Sequence, residues 1–201
     1  MPETVANSSA ISSTRSLLHP LDDFYAREGR ALPPVSEVEG LALPEPYRSL
    51  LVHESDMTST LERFHGHTLH IEVHSSSRER TTDGHDVYCR ELVLLADEVE
   101  QPVEFGAIQI FLDRVPAAVR EEILAERRPL GAILNGHDVK YTSRPAGFLR
   151  FATDPFISGL LKLSGMHILY GRRNTLFTAT GERLAEIVEI LPPLDRVTLN
   201  K

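Results

Sequence analysis

Arg90 is the residue of this 201-residue chain whose surroundings most clearly demand a chemical partner. It lies inside the apolar, β-prone segment 87–95. Strand alternation places it on one face with Tyr88, Leu92 and Leu94. A guanidinium removed from water needs an anion, and its planar fork binds a carboxylate through two hydrogen bonds. The partner is therefore either a carboxylate of the protein, in a structural salt bridge, or the carboxylate of a ligand.

Glu189 is the matching carboxylate near the other end of the chain. In the expected last strand it shares a face with Ile187 and Leu191, so it too is a charge between aliphatic neighbours. A carboxyl in such surroundings tends to have a raised pKa and can donate as well as accept a proton. Glu189 either pairs directly with Arg90 or stands across a cavity from it, at the opposite end of one ligand. The run 171–173 (Gly-Arg-Arg) adds two cations at the expected end of a strand, for an anionic ligand or in a solvated turn.

Other kinds of site find less support in the residue spacing. The chain has nine histidines, but His70 and His74 are four apart on an expected strand, about 13 Å, which is too far to share one metal ion. We therefore expect no metal site. The polar cluster 53–56 is interpreted as capping at a helix junction, because no nucleophile elbow accompanies it. No Gly-Lys-Ser/Thr follows the scattered glycines, so no phosphate loop is expected.

The elements that would position these residues change in type along the chain. Helices are expected over 22–27, in two pieces over 47–65 that end at Gly66, from a cap at Asp113 to 124, over 129–134, and over 156–163 behind Asp154-Pro155. Strands are expected over 67–74, 87–95, 103–111, 148–151, 166–170, 174–178 and 184–191. Strands dominate and helices come in blocks, which predicts an α+β domain around an antiparallel sheet.

Length, charge and cysteine count narrow the class of protein. A net charge of −8 and a pI near 5.6 argue against nucleic-acid binding, and no apolar run reaches the roughly 18 residues of a membrane span. We expect a cytoplasmic protein that binds a small molecule. The single cysteine, Cys89, allows no internal disulfide and is expected in the core. Residues 1–15 are expected to be a disordered tail, 16–45 an arm and 46–201 one folded domain.

Five short motifs occur in one order between Leu50 and Pro193. They are Glu54-Ser55-Asp56-Met57-Thr58; Arg90-Glu91-Leu92-Val93-Leu94 followed by Ala96-Asp97; Pro129-Leu130-Gly131-Ala132-Ile133-Leu134; Gly171-Arg172-Arg173; and Glu189 ahead of Leu191-Pro192-Pro193. Together, in this order, they resemble bacterial chorismate lyase and the wider family of chorismate-lyase-like proteins. The resemblance implies an antiparallel sheet of about six strands flanked by helices, with the ligand enclosed beneath helical flaps.

The resemblance also implies an activity and roles for four residues. Chorismate lyase removes pyruvate from chorismate to give 4-hydroxybenzoate, an early compound of ubiquinone biosynthesis, without metal or organic cofactor. Arg90 would bind the ring carboxylate and Met57 would add its backbone amide. Leu130 would offer a backbone amide near the ring hydroxyl, and Glu189 would hydrogen-bond that hydroxyl and serve as the acid/base group.

A non-catalytic relative is the alternative that the same resemblance raises. Sensor domains of bacterial transcription regulators, the UTRA domains, share the chorismate-lyase-like fold and bind small effectors. This chain has a longer N-terminal arm than the lyase and an insertion-like stretch over 145–165 that contains three phenylalanines. A module that binds an aromatic or sugar acid without converting it is therefore a second reading of the sequence.

Overall fold

The computed structural model describes residues 16–194. The strands are β1 (Val35–Val38), β2 (Leu69–Arg80), β3 (Asp86–Ala96), β4 (Gln101–Phe111), β5 (Tyr141–Ala152), β6 (Ile168–Thr178) and β7 (Arg183–Leu191). The helices are α1 (Leu21–Arg27), α2 (Tyr47–Leu51), α3 (Met57–His65), α4 (Ala117–Leu124), α5 (Leu130–Gly136) and α6 (Pro155–Leu160). The α+β class is confirmed, and the expected tail over 1–15 lies outside the described residues.

The strands form one seven-stranded sheet in the order β1-β5-β6-β7-β4-β3-β2, and every neighbouring pair is antiparallel. Two rows of paired residues cross its middle. One row runs through Arg90, Ile108, Ile187 and Asn174. The next runs through Leu92, Gly106, Glu189 and Arg172. Arg90 and Glu189 therefore lie on the same face, two strands apart and one row apart, with Cα atoms about 12 Å from each other.

Helices cover both faces of the sheet. On the first face, α2 to α5 pack apolar side chains against alternate residues of β3, β4 and β7. On the second face, α1 and α6 cover the intervening residues. Coverage on both sides explains why β3 and β4 are buried at nearly every position and not only at alternate ones, because neither face meets water.

Two aspartates start helices as the sequence predicts. The Asp56 carboxylate accepts a hydrogen bond from the Ser59 amide at 2.8 Å, and α3 ends at Gly66, whose φ is +72°. The Asp154 carboxylate accepts from the Ile157 amide at 2.7 Å and caps α6. The predicted cap at Asp113 is wrong. That residue lies in the 3₁₀ turn Leu112–Arg114, and α4 begins after Pro116.

Three strands extend beyond their predicted bounds. β2 continues through polar residues to Arg80, which an edge strand with one exposed side tolerates. β5 begins at Tyr141 because a register shift between Pro145 and Gly147 absorbs two residues that usually interrupt strands. β6 runs unbroken through Gly171, where two strands were expected.

The arm over 16–45 contributes both a helix and a strand. The helix expected over 22–27 is present as α1, and its Leu21, Phe24 and Tyr25 are buried against the second face. Residues 35–38 form β1 and pair with β5. No local pattern indicates β1, because its side chains are mostly exposed and lack an apolar alternation.

Gly171 offers a direct test of the close packing between β6 and β7. A Cβ on this residue would lie 2.3 Å from the Glu189 carbonyl oxygen, which is backbone and cannot move aside. Gly171→Ala is expected to lower the free energy of unfolding by about 1–3 kcal/mol in urea titrations. Gly159→Ala, in α6, is the control, because a Cβ there meets nothing within 4 Å. Equal stability of the two variants would contradict the close approach.

Candidate functional site

A cavity lies between the first face of the sheet and the beginnings of α3 and α5. It contains about 590 Å³ of empty space, including the part open to solvent. Most of the lining is apolar. Its residues are Asp56, Met57, Thr58, Ile71, Arg90, Leu92, Leu94, Glu104, Gly106, Ile108, Pro129, Leu130, Gly131, Tyr141, Asn174, Leu176, Ile187 and Glu189.

The four residues singled out in the sequence all line this one cavity. Arg90 and Glu189 project from β3 and β7, while Met57 and Leu130 are the first residues of α3 and α5. The first amides of a helix have no acceptor within the helix, so both positions suit the backbone-donor role that the resemblance implies. The two helix starts also touch, because a Cβ on Gly131 would lie 3.0 Å from an Asp56 carboxylate oxygen.

Arg90 has no carboxylate partner among the described residues. Its side chain is fully buried, and neither Nε nor Nη1 has a hydrogen-bond partner within residues 16–194. Nη2 makes one long bond, 3.5 Å, to the Arg128 carbonyl oxygen. Burial lowers the pKa of Arg90, and neighbouring Tyr88 and Glu126 oppose this shift only in part. The cavity lining thus includes a desolvated cation with two guanidinium nitrogens that have no partner in the described part of the chain.

Glu189 pairs with Arg172 and not with Arg90. The Arg172 Nε donates to Glu189 Oε2, and both side chains are buried. The Arg172 Nη1 also donates to the carbonyl oxygens of Leu51 and His53, at 3.1 and 3.0 Å. The direct Arg90–Glu189 pair, one of the two arrangements that the sequence left open, is therefore not the one the protein adopts.

Arg172 is the functional residue that the sequence analysis placed wrongly. The sequence predicts it at the end of a strand, for an anionic ligand or in a solvated turn, but it lies inside β6 with no exposed surface. Through its bonds to the carbonyls of Leu51 and His53 it holds the segment between α2 and α3 against the sheet. Burial and the charge of Arg172 lower the pKa of His53, so this imidazole favours its neutral form.

Glu104 is a cavity carboxyl that the sequence analysis missed. It follows Val103 at the start of β4, is 5% exposed, and its Oε2 has no hydrogen-bond partner among the residues described. Burial and the charge of Glu189 raise its pKa well above the ordinary value, and Arg172 offsets this only in part. The signal that identified Arg90, a charge inside an apolar strand, was available here too.

The histidines that suggested a metal lie elsewhere. His70 is on the edge strand β2 and is hydrogen-bonded through Nδ1 to Asp97 at 2.5 Å. Across residues 16–194, the cluster of possible metal ligands is His19, Asp22 and Asp23, beside and within α1. None of these three residues lines the cavity.

The fold of this protein is one that other proteins share. The antiparallel sheet with its flanking helices has the α+β fold that chorismate-lyase-like proteins share with UTRA domains. No protein-family model matches the sequence, and no protein of curated function is similar enough in sequence to match it. Within the described residues, no helix has the length and apolar character needed to cross a membrane.

Solved structures of bacterial proteins show the same fold. PhnF from Mycobacterium smegmatis superimposes with a TM-score of 0.55 at 12% identity, over 70% of this chain and 64% of PhnF, so the chain spans less than two thirds of that protein. The product of SA0254 from Staphylococcus aureus gives 0.50 at 12% identity, over 62% of this chain and 82% of that one. Likeness at these identities shows the fold alone.

Removing the charge of each buried arginine is expected to change the free energy of unfolding by very different amounts. Arg172→Met leaves Glu189 as an unpaired buried charge and should lower the free energy of unfolding by about 3–5 kcal/mol. Combining it with Glu189→Leu should cost less than the sum of the two single changes. Arg90→Met removes a cation that has no anion, so it should cost less than about 1 kcal/mol or stabilise the ligand-free protein. Urea titrations measure all four variants, and a cost for Arg90→Met as large as for Arg172→Met would show that Arg90 has a structural partner.

Proposed function

We propose that this domain binds a small organic acid reversibly and acts as a sensor or carrier domain, without converting its ligand. The observation that carries the proposal is Arg90, a fully buried cation in the cavity lining whose Nε and Nη1 atoms have no hydrogen-bond partner among the described residues. Burying such a charge away from water costs free energy unless an anion neutralises it. A ligand carboxylate that accepts two hydrogen bonds from the guanidinium meets this requirement.

The rest of the lining favours an acid with an apolar or ring-shaped body. Leu92, Leu94, Ile108 and Ile187 form apolar walls between the Arg90 end and the acidic end of the cavity. Aromatic acids and sugar acids both combine a carboxylate with a body of about the size of one ring. The amides of Met57 and Leu130 are the proposed additional donors. Glu189, whose Oε2 is held by Arg172, is the proposed acceptor for a ligand hydroxyl.

A specific observation favours chorismate lyase activity as the second candidate. All four positions that the lyase resemblance names line one cavity, although they come from four separate elements. The state of Glu189 weighs against it. Its Oε2 already accepts a hydrogen bond from the Arg172 guanidinium, so this oxygen is not available to exchange a proton with a substrate. The binding function needs no proton transfer and is therefore the first proposal.

Thermal stabilisation by small acids tests the binding function. Wild-type protein is heated with 4-hydroxybenzoate, benzoate or gluconate, and an acid that binds should stabilise it by about 2.7 kcal/mol at a hundredfold excess over its Kd. Arg90→Met should abolish this stabilisation. Arg80→Met, an exposed change on the edge strand β2, is the matched control and should leave it intact. Stabilisation that survives Arg90→Met would place the anion elsewhere.

Incubation with chorismate separates the two candidates. The binding function predicts that pyruvate, measured by a coupled dehydrogenase assay, appears no faster than in the absence of protein. Release of pyruvate by the wild type, lost in Arg90→Met and retained in Arg80→Met, would overturn the first proposal in favour of the lyase. The Arg80 variant matters because it excludes a contaminating enzyme as the source.

A further inference from the structure

The backbone of Glu104 lies two rows of the cavity face away from that of Arg90. Ile108 pairs with Arg90 across β3 and β4, and Glu104 lies four residues before it on β4. Four residues of strand separate these two rows by about 13 Å. Residues of β4 at even positions share the cavity face, so Glu104, Gly106 and Ile108 all line the floor or walls. The cavity therefore has a cationic end and an acidic end.

The Glu104 carboxyl lies over Gly106, towards the middle of the cavity. Its Oε1 is 3.2 Å from the place that a Cβ of residue 106 would occupy. The absent side chain at Gly106 thus gives the carboxyl its position. Its Oε2 has no hydrogen-bond partner in the described part of the chain, although the residue is 95% buried. Buried polar groups nearly always have a hydrogen-bond partner, so an atom of a ligand is a natural partner for this oxygen.

The charges around Glu104 come from every element that lines the cavity. Glu189 on β7 is the nearest like charge, and Arg172 on β6 is already bound to Glu189 and to two carbonyl oxygens. Arg90 is at the far end on β3. Asp56 at the start of α3 and Tyr141 on β5 are the remaining titratable groups of the lining. No salt bridge reaches Glu104 from any described residue, so its ionised form would be an uncompensated buried charge.

We propose that Glu104 is a carboxylic acid in the folded protein and donates its O–H to an uncharged oxygen at the end of the ligand remote from Arg90. This inference rests on the proposed binding function and specifies the class of ligand. The ligand is a monoanionic acid that carries a hydroxyl or carbonyl oxygen at its far end. A hydroxyl fits best, because it accepts from Glu104 and donates to the Glu189 carboxylate. A second carboxylate at that end would meet Glu189 and is excluded.

The stability of the ligand-free protein tests the protonation state. An acid whose pKa is raised by folding binds its proton more tightly in the folded state, so the free energy of unfolding falls as pH rises above 4.5, the ordinary value. Glu104→Gln removes this fall. Its stability relative to wild type should therefore increase steadily in urea titrations from about pH 5 upward. A relative stability of Glu104→Gln that is independent of pH would overturn the inference.

Glu91 supplies the matched control for that measurement. It is also a buried carboxyl of the sheet, but on the second face, and burial raises its pKa to about 7. The stability of Glu91→Gln relative to wild type should also increase with pH, but only up to about pH 7, the pKa of Glu91 in the folded protein. Because Glu91 lies outside the cavity, its substitution should not affect ligand binding. Both variants therefore report the protonation of a buried acid, but only Glu104→Gln can also change ligand binding.

Calorimetric titration at neutral pH tests the ligand class. Wild type should bind 4-hydroxybenzoate at least about tenfold more tightly than terephthalate, which carries a second carboxylate in place of the hydroxyl. Glu104→Gln retains a donor and should bind 4-hydroxybenzoate within about threefold of wild type. Glu104→Leu removes the donor and should lose about tenfold for 4-hydroxybenzoate but little for benzoate, which has no oxygen at that end.

The outcomes distinguish failure of this inference from failure of the binding function. If 4-hydroxybenzoate binds in an Arg90-dependent manner but Glu104→Leu binds it as well as wild type, Glu104 is not a donor and the binding function stands. Equal binding of terephthalate and 4-hydroxybenzoate likewise overturns only the inference. If wild type binds none of these acids, the binding function fails and the inference fails with it.

Discussion

The ion pair between Arg172 and Glu189 is the interaction on which the site depends. It joins β6 to β7 at the sheet centre, and the same guanidinium binds two carbonyl oxygens of the segment between α2 and α3. That segment leads directly into the start of α3, which forms part of the cavity wall. One buried cation thus fixes the floor and one wall relative to each other. It also occupies the carboxylate that might otherwise have neutralised Arg90.

The cavity is consequently divided into a neutralised end and an unneutralised one. Arg172 and Glu189 balance each other, whereas Arg90 has two guanidinium nitrogens without partners in the described structure. Burying an unpaired guanidinium costs free energy, which the rest of the fold must offset. This cost favours any state in which an anion is bound beside Arg90. Under the proposed function, the selectivity of binding follows from these guanidinium nitrogens, which no described residue satisfies. The apolar walls between the two ends then limit the shape of the molecule that completes it.

The sequence predicted the site residues better than their partners. Arg90 and Glu189 stand out because alternation places each charge among aliphatic side chains, and this is a local property of one strand. The pairing of Glu189 with Arg172 depends on the register between strands, which no local pattern encodes. Arg172 follows a glycine that was read as a turn, because the close approach of β6 to β7 at Gly171 is visible only once both strands are placed. For the same reason β1 was missed, since its pairing with β5 involves exposed side chains.

Gly106 determines what the floor of the cavity can and cannot do. With no side chain at this position, the neighbouring Glu104 carboxyl reaches over the β4 backbone, and its Oε1 lies 3.2 Å from the place of a Cβ. β4 is paired along both edges, with β3 and β7, so its amides and carbonyls are committed to the sheet. The backbone of β4 therefore has no free donor or acceptor to offer a ligand at this point of the floor. Under the proposed function, chemical recognition has to come from the side chains and the helix-start amides that surround it.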